Sequence, residues 1–115
     1  MSVMAADKQS LSNASQLISN AVSLLLQASR ASTDPVALLK IHNEIVYLNT
    51  ITTNVAQIMV IADDATFDTA TAALKQQAAT LQSQAEAIGA VAADAATAAQ
   101  ITGWIVQAVA FIAVL

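Results

Sequence analysis

Polar side chains recur every three or four residues near the start of the chain, at Gln9, Asn13, Gln16, Asn20, Ser23, Gln27 and Arg30. Leu11, Ile18, Ala21, Val22, Leu25 and Ala28 fall in the complementary positions. A period near 3.6 residues puts the two sets on opposite faces, which predicts an amphipathic helix over residues 7–31. Ser32-Thr33-Asp34-Pro35 breaks it: Asp34 suits the cap of a following helix and Pro35 its first turn. The second helix is expected over 35–62. Its apolar seam is Leu38, Ile41, Ile45, Leu48, Val55 and Met59, and its polar side is Asn43, Tyr47, Thr50, Asn54 and Gln57. Asp63-Asp64-Ala65-Thr66 makes the next break, with acidic residues placed to meet a positive helix start.

Beyond this point the pattern supports two readings. Phe67, Leu74, Leu81 and Ile88 repeat every seven residues, with Ala78, Ala85 and Ala92 between them. The phase runs on through Ala95, Ala99, Val106 and Val109, so residues 66–115 can be one helix, roughly 73 Å long at 1.5 Å per residue. Alternatively the chain turns near residues 89–94, with Gly89 in a left-handed C′ position and Asp94 capping a fourth helix. The second reading gives helices over about 7–31, 35–62, 66–88 and 94–115. Similar lengths joined by short loops suit an antiparallel up-down bundle. An all-α four-helix bundle is therefore the expected fold, within one helical domain spanning residues 1–115.

The last stretch changes the picture. Residues 95–115, AATAAQITGWIVQAVAFIAVL, contain no charged side chain, and about 20 apolar residues is the length a helix needs to cross a bilayer. Placed at 100° steps, one face carries Thr97, Gln100, Trp104, Gln107, Phe111 and Val114. A second carries Ala95, Ala99, Thr102, Val106, Val109 and Ala113; a third carries Ile101, Ile105, Ala108, Ile112 and Leu115. A helix apolar nearly all round belongs in a core or in lipid. One side of it must face outward in a bundle of four, so Trp104, Phe111 and Val114 are expected at an interaction surface. Ala99 and Gly103 form a small-xxx-small element that lets another helix come close. The candidate membrane or interface residues are Ala99, Gly103, Trp104, Ile105, Val106, Val109, Phe111, Ile112 and Leu115.

Composition supports the same direction. Charged residues make up 10% of the chain, against about 25% in an ordinary soluble domain. Twenty-one uncharged residues separate Lys8 from Arg30, and eighteen separate Glu44 from Asp63. The polar faces in between use hydroxyls and amides. The formal net charge of −4, with four cations, argues against nucleic acid as a partner. It argues equally against docking on anionic lipid through a basic cluster. Cysteine is absent, which excludes disulfides and thiolate metal sites. The opening MSVMAADKQSLSN lacks the basic and apolar regions of a cleavable signal. The expectation is a cytoplasmic protein, or one exported without such a signal, with the last helix as its route to a membrane.

Nothing in the chain assembles chemistry. His42 is the sole histidine, with Leu38 and Val46 one turn away on either side, so no second ligand shares its face. Gly89 and Gly103 stand alone, which excludes phosphate-binding glycine loops. Asp63 and Asp64 fit the role of helix caps. No enzyme activity, cofactor, metal or small-molecule substrate is expected. The mixture of amphipathic helices, scarce charge and one nearly apolar helix is loosely similar to helical pore-forming toxins and to small helical proteins that polymerise, in composition only. The expected function is association between helices, with residues 95–115 entering a membrane within an oligomer. The alternative is a soluble structural protein that self-assembles, or binds a helical partner, through the same face.

Overall fold

The computed structural model describes residues 3–115; residues 1 and 2 of the expected domain lie outside the described residues. It is 88% helical. The elements are α1 (Val3–Ala31), α2 (Pro35–Met59), α3 (Asp64–Ala90) and α4 (Ala95–Ala113). Helix α1 packs on α2 and α4, and α3 packs on α4, while α2 and α3 meet over a smaller contact. Each helix therefore lies beside its neighbour in sequence, and the first closes on the last, as an up-down ring requires. The molecule measures 50 × 20 × 20 Å.

Aspartates start three of the helices. Asp34 accepts the Val36 N–H at 3.2 Å ahead of Pro35, which needs no partner in the first turn. Asp63 Oδ2 accepts both the backbone N–H (2.8 Å) and the hydroxyl (2.7 Å) of Thr66. Asp94 Oδ2 repeats the arrangement with Thr97, at 2.8 Å for each bond. A Thr three residues after the cap thus fastens it twice. At the other side of the α2–α3 turn, Lys8 donates to the Ile61 carbonyl at 2.7 Å and lies 5.9 Å from the centre of the Phe67 ring. One ammonium satisfies a turn carbonyl and sits over an aromatic face, tying α1 to this end.

The core is aliphatic apart from Phe67. Helix α1 contributes Leu11, Ala14, Ile18, Ala21 and Leu25, and α3 the full seven-residue series Phe67, Leu74, Leu81 and Ile88 with Ala78 and Ala85. The long-helix alternative over 66–115 does not occur, because the chain leaves helical geometry at residues 91–94. Observed ends differ from the expected ones by a few residues: α1 begins at Val3, α2 stops at Met59, and α3 extends to Ala90.

Two further expectations are corrected. Gly89 does not occupy a left-handed cap. It is buried inside α3, no glycine has positive φ among the described residues, and Val91 closes the helix in right-handed geometry. Its lack of a side chain serves the approach of α4 instead: a Cβ there would collide with Thr102 Oγ1 and lie 2.6 Å from the Ala98 carbonyl oxygen. The seam of α2 is also rotated. Ile41, Leu48, Ile51, Val55 and Ile58 are buried, whereas Leu38 is exposed and Ile45 and Met59 are half-buried. Leu39, Val46 and Val60, separated by multiples of a heptad, lie on the outer side.

Candidate interface helix

Helix α4 is held in the bundle by one face. Ile101, Ile105, Ala108, Val109 and Ile112 are buried between α1 and α3. Of the three faces that the 100° spacing separates, the isoleucine face is thus the inner one. It is placed by close contact at the α3 crossing: Thr102 donates to the Ala98 carbonyl at 3.0 Å, with the Ala85 carbonyl of α3 at 3.4 Å as a second acceptor. A hydroxyl returning to its own helix, opposite a glycine, brings the two backbones together.

The outer face carries no charge. Ala96, Ala99, Val106, Gln107, Ala110 and Ala113 are exposed and Gly103 is half-buried, with open space where its Cβ would be. Val106 is 43% exposed, Phe111 36% and Val114 73%. At a mean hydropathy of 1.4 over its most apolar 18 residues, α4 is long and apolar enough to cross a membrane, as a core helix of a soluble protein also is. Its buried share, 28%, is no lower than that of α1 or α2; what sets α4 apart is the absence of any charged side chain.

The nine residues expected here therefore divide. Ile105, Val109 and Ile112 belong to the core. Trp104 and Leu115 are half-buried and pack against it, so Trp104 is not laid open alongside Phe111 and Val114 as expected. Ala99, Val106 and Phe111 are exposed, with Gly103 between them. Sequence reasoning missed the outer apolar row of α2, Leu39, Val46 and Val60, which the heptad spacing could have revealed.

Titratable groups near α4 are few. Asp94, at its start, has its carboxyl held below the ordinary 3.8 by the Thr97 backbone N–H and then by the Thr97 hydroxyl. On α2, burial pushes the Glu44 carboxyl up, and burial followed by the Glu44 charge pushes the Tyr47 phenol up. His42 is exposed. No cluster of three or more His, Cys, Asp or Glu able to hold a metal ion occurs among the described residues. No protein-family model matches the chain, and neither a curated protein nor a solved structure matches it.

Proposed function

We propose that this is a non-enzymatic helical protein that acts by helix association, with α4 entering a membrane as part of an oligomer. The observation that carries the reading is α4 itself, 19 residues without a charged side chain, whose outer face includes the exposed Val106 and Phe111. That helix is roughly 28 Å long at 1.5 Å per residue, close to the hydrocarbon thickness of a bilayer, about 30 Å. Insertion keeps Ile101, Ile105 and Ile112 out of water while exchanging bundle contacts for lipid. The turn at 91–94 is the place where α4 can swing away from α3. The apolar groove then left between α1 and α3 needs a second copy or lipid to cover it, which is why the reading includes an oligomer.

Removing α4 is a poor test, because it also removes five buried core residues. Val106→Asp is better, since Val106 is exposed and the fold should tolerate the change. An acidic residue near the middle of the span costs about 2.5–3.5 kcal/mol of insertion. The expected result is flotation of the wild type with liposomes and loss of flotation in Val106→Asp, at unchanged thermal stability. Equal flotation of the two proteins, or none by the wild type, rejects the reading.

A second reading is soluble self-assembly through the same face. The open space at Gly103 favours it, because a neighbouring helix can come close there without lipid. Sedimentation in lipid-free buffer separates the two: this reading expects an oligomer that Gly103→Leu dissociates.

A further inference from the structure

The α1–α2 turn and the α3–α4 turn lie at the same end of the bundle and flank a half-open cavity of about 480 Å³. That volume falls within the range of small-ligand sites, about 300–1,000 Å³. Its floor is apolar, formed by Leu24, Ala28, Ala37, Ile41 and Ala92. Three of these are alanines, whose side chains stop short of the centre and leave the space that larger residues would fill. Ile41 and Ala92 are buried, so the floor reaches the core rather than lying on the surface.

The rim carries charge of one sign. Asp34 and Asp94 are the only ionisable side chains lining the cavity among the described residues. The cap of α2 uses Oδ1 of Asp34 and leaves its other oxygen outside that bond; both Thr97 bonds use Oδ2 of Asp94, and the Ala96 N–H also acts on the Asp94 carboxyl. Two helix N-termini and two helix C-termini meet at this end, and their dipole charges offset one another. The charge of the rim is therefore that of two carboxylates. Arg30 and Lys40 are exposed and take no part in the lining.

We infer that this cavity binds a compact apolar molecule bearing a single cationic group, with the apolar body on the alanine floor and the cation between Asp34 and Asp94. A cavity of this size has room to spare for a small hydrocarbon cage, and the two rim carboxylates are complementary to its charge. The site lies at the bundle end opposite the C-terminus of α4 and is independent of the membrane reading.

Three ligands that share one hydrocarbon cage test it: 1-adamantylammonium, neutral 1-adamantanol and adamantane-1-carboxylate. Each is titrated into the full chain, followed by backbone amide and alanine methyl NMR shifts. For a ligand of this size the expected Kd is on the order of a millimolar. The ammonium should bind about three- to tenfold more tightly than the alcohol, the gain expected of partly exposed ion pairs, and the carboxylate more weakly than either. Shifts should map to Ala28, Ala37 and Ala92. Asp34→Asn and Asp94→Asn keep a good capping side chain, so they should preserve the fold and bring the ammonium towards the affinity of the alcohol. Ala28→Leu should fill the floor and abolish binding of both. Equal binding of ammonium and alcohol, indifference to both Asn variants, shifts elsewhere, or no saturable shifts at all would overturn the inference.

Discussion

Gly89 of α3 and Thr102 of α4 stand face to face where the two helices cross, and the missing side chain of one makes room for the hydroxyl of the other. The contact fixes how near α4 can lie to α3, and hence how deep its isoleucines reach. Gly89→Ala should destabilise by about 1–3 kcal/mol, the usual range for overpacking, although alanine is by itself the better helix former by about 1 kcal/mol. The Ala98 carbonyl is backbone and cannot move aside. Gly103, close by on α4, has nothing within 4 Å of the position that a methyl group would take. Gly103→Ala should therefore stabilise, by about 0.5–1 kcal/mol. Urea denaturation of the two variants decides the matter, and equal stabilities would remove the argument for close packing at Gly89.

Tyr47 has a buried phenolic oxygen with no hydrogen-bond partner. A desolvated hydroxyl without a partner costs about 1–3 kcal/mol, whereas its ring still packs against the core. Tyr47→Phe keeps the ring and removes the cost. The variant should unfold at a higher temperature than the wild type, by a margin equivalent to about 1 kcal/mol. A lower melting temperature would mean that the hydroxyl has a partner after all, such as a water molecule.

The pH dependence of stability should have two limbs of opposite sign. Asp63 is held below the ordinary 3.8 by the Thr66 hydroxyl and then its N–H, and Asp94 likewise by the Thr97 N–H and then its hydroxyl. A lowered folded-state value means that these caps stabilise fully above pH 3.8 and lose the effect as pH falls through the folded values. Burial raises Glu44 above the ordinary 4.5. Its contribution is present below pH 4.5 and is lost as pH rises through its folded value. Thermal melts should show greatest stability in mild acid. Glu44→Gln should flatten the decline towards neutral pH, and Asp63→Asn with Asp94→Asn should flatten the acid limb. A wild-type profile flat from about pH 3 to 7 would contradict both.

Much of this architecture was legible in the chain, for identifiable reasons. The Asp-Pro start of α2 and the Asp-Asp start of α3 are short-range chemistry, satisfied within a few residues, and they mark those breaks clearly; Asp94 offered the same chemistry before α4, but the unbroken seven-residue phase left a single long helix open as well. The α3 seam was equally clear, because its large apolar residues occur on one face only. Gly89 was ambiguous because a glycine near a helix end serves either a left-handed cap or a close approach, and only the position of α4 separates them. The inner face of α4 was hidden for a related reason: with apolar residues on every side, periodicity finds no single buried direction. The outward placement of Val106 and Phe111 depends on which face α1 and α3 claim.

The rotated seam of α2 has the same origin and gives the sharpest mutational contrast. Leu38, Ile45 and Met59 repeat at helical spacing as well as Ile41, Leu48 and Val55 do, so the chain offers two seams. The bundle buries the second together with Ile51 and Ile58, and leaves the first at the flank or in solvent. Ile51 has no exposed surface. Ile51→Ala should cost about 2–5 kcal/mol, the range for truncating a buried isoleucine. Leu38→Ala, although an equal loss of hydrocarbon, should cost less, about 1 kcal/mol, because Leu38 is 36% exposed and no closed cavity remains. Paired denaturation curves test the phase of α2 directly. If Leu38→Ala proved the more damaging, the Leu38, Ile45 and Met59 half of the seam read from periodicity would be the buried one, and the phase of α2 described above would be wrong.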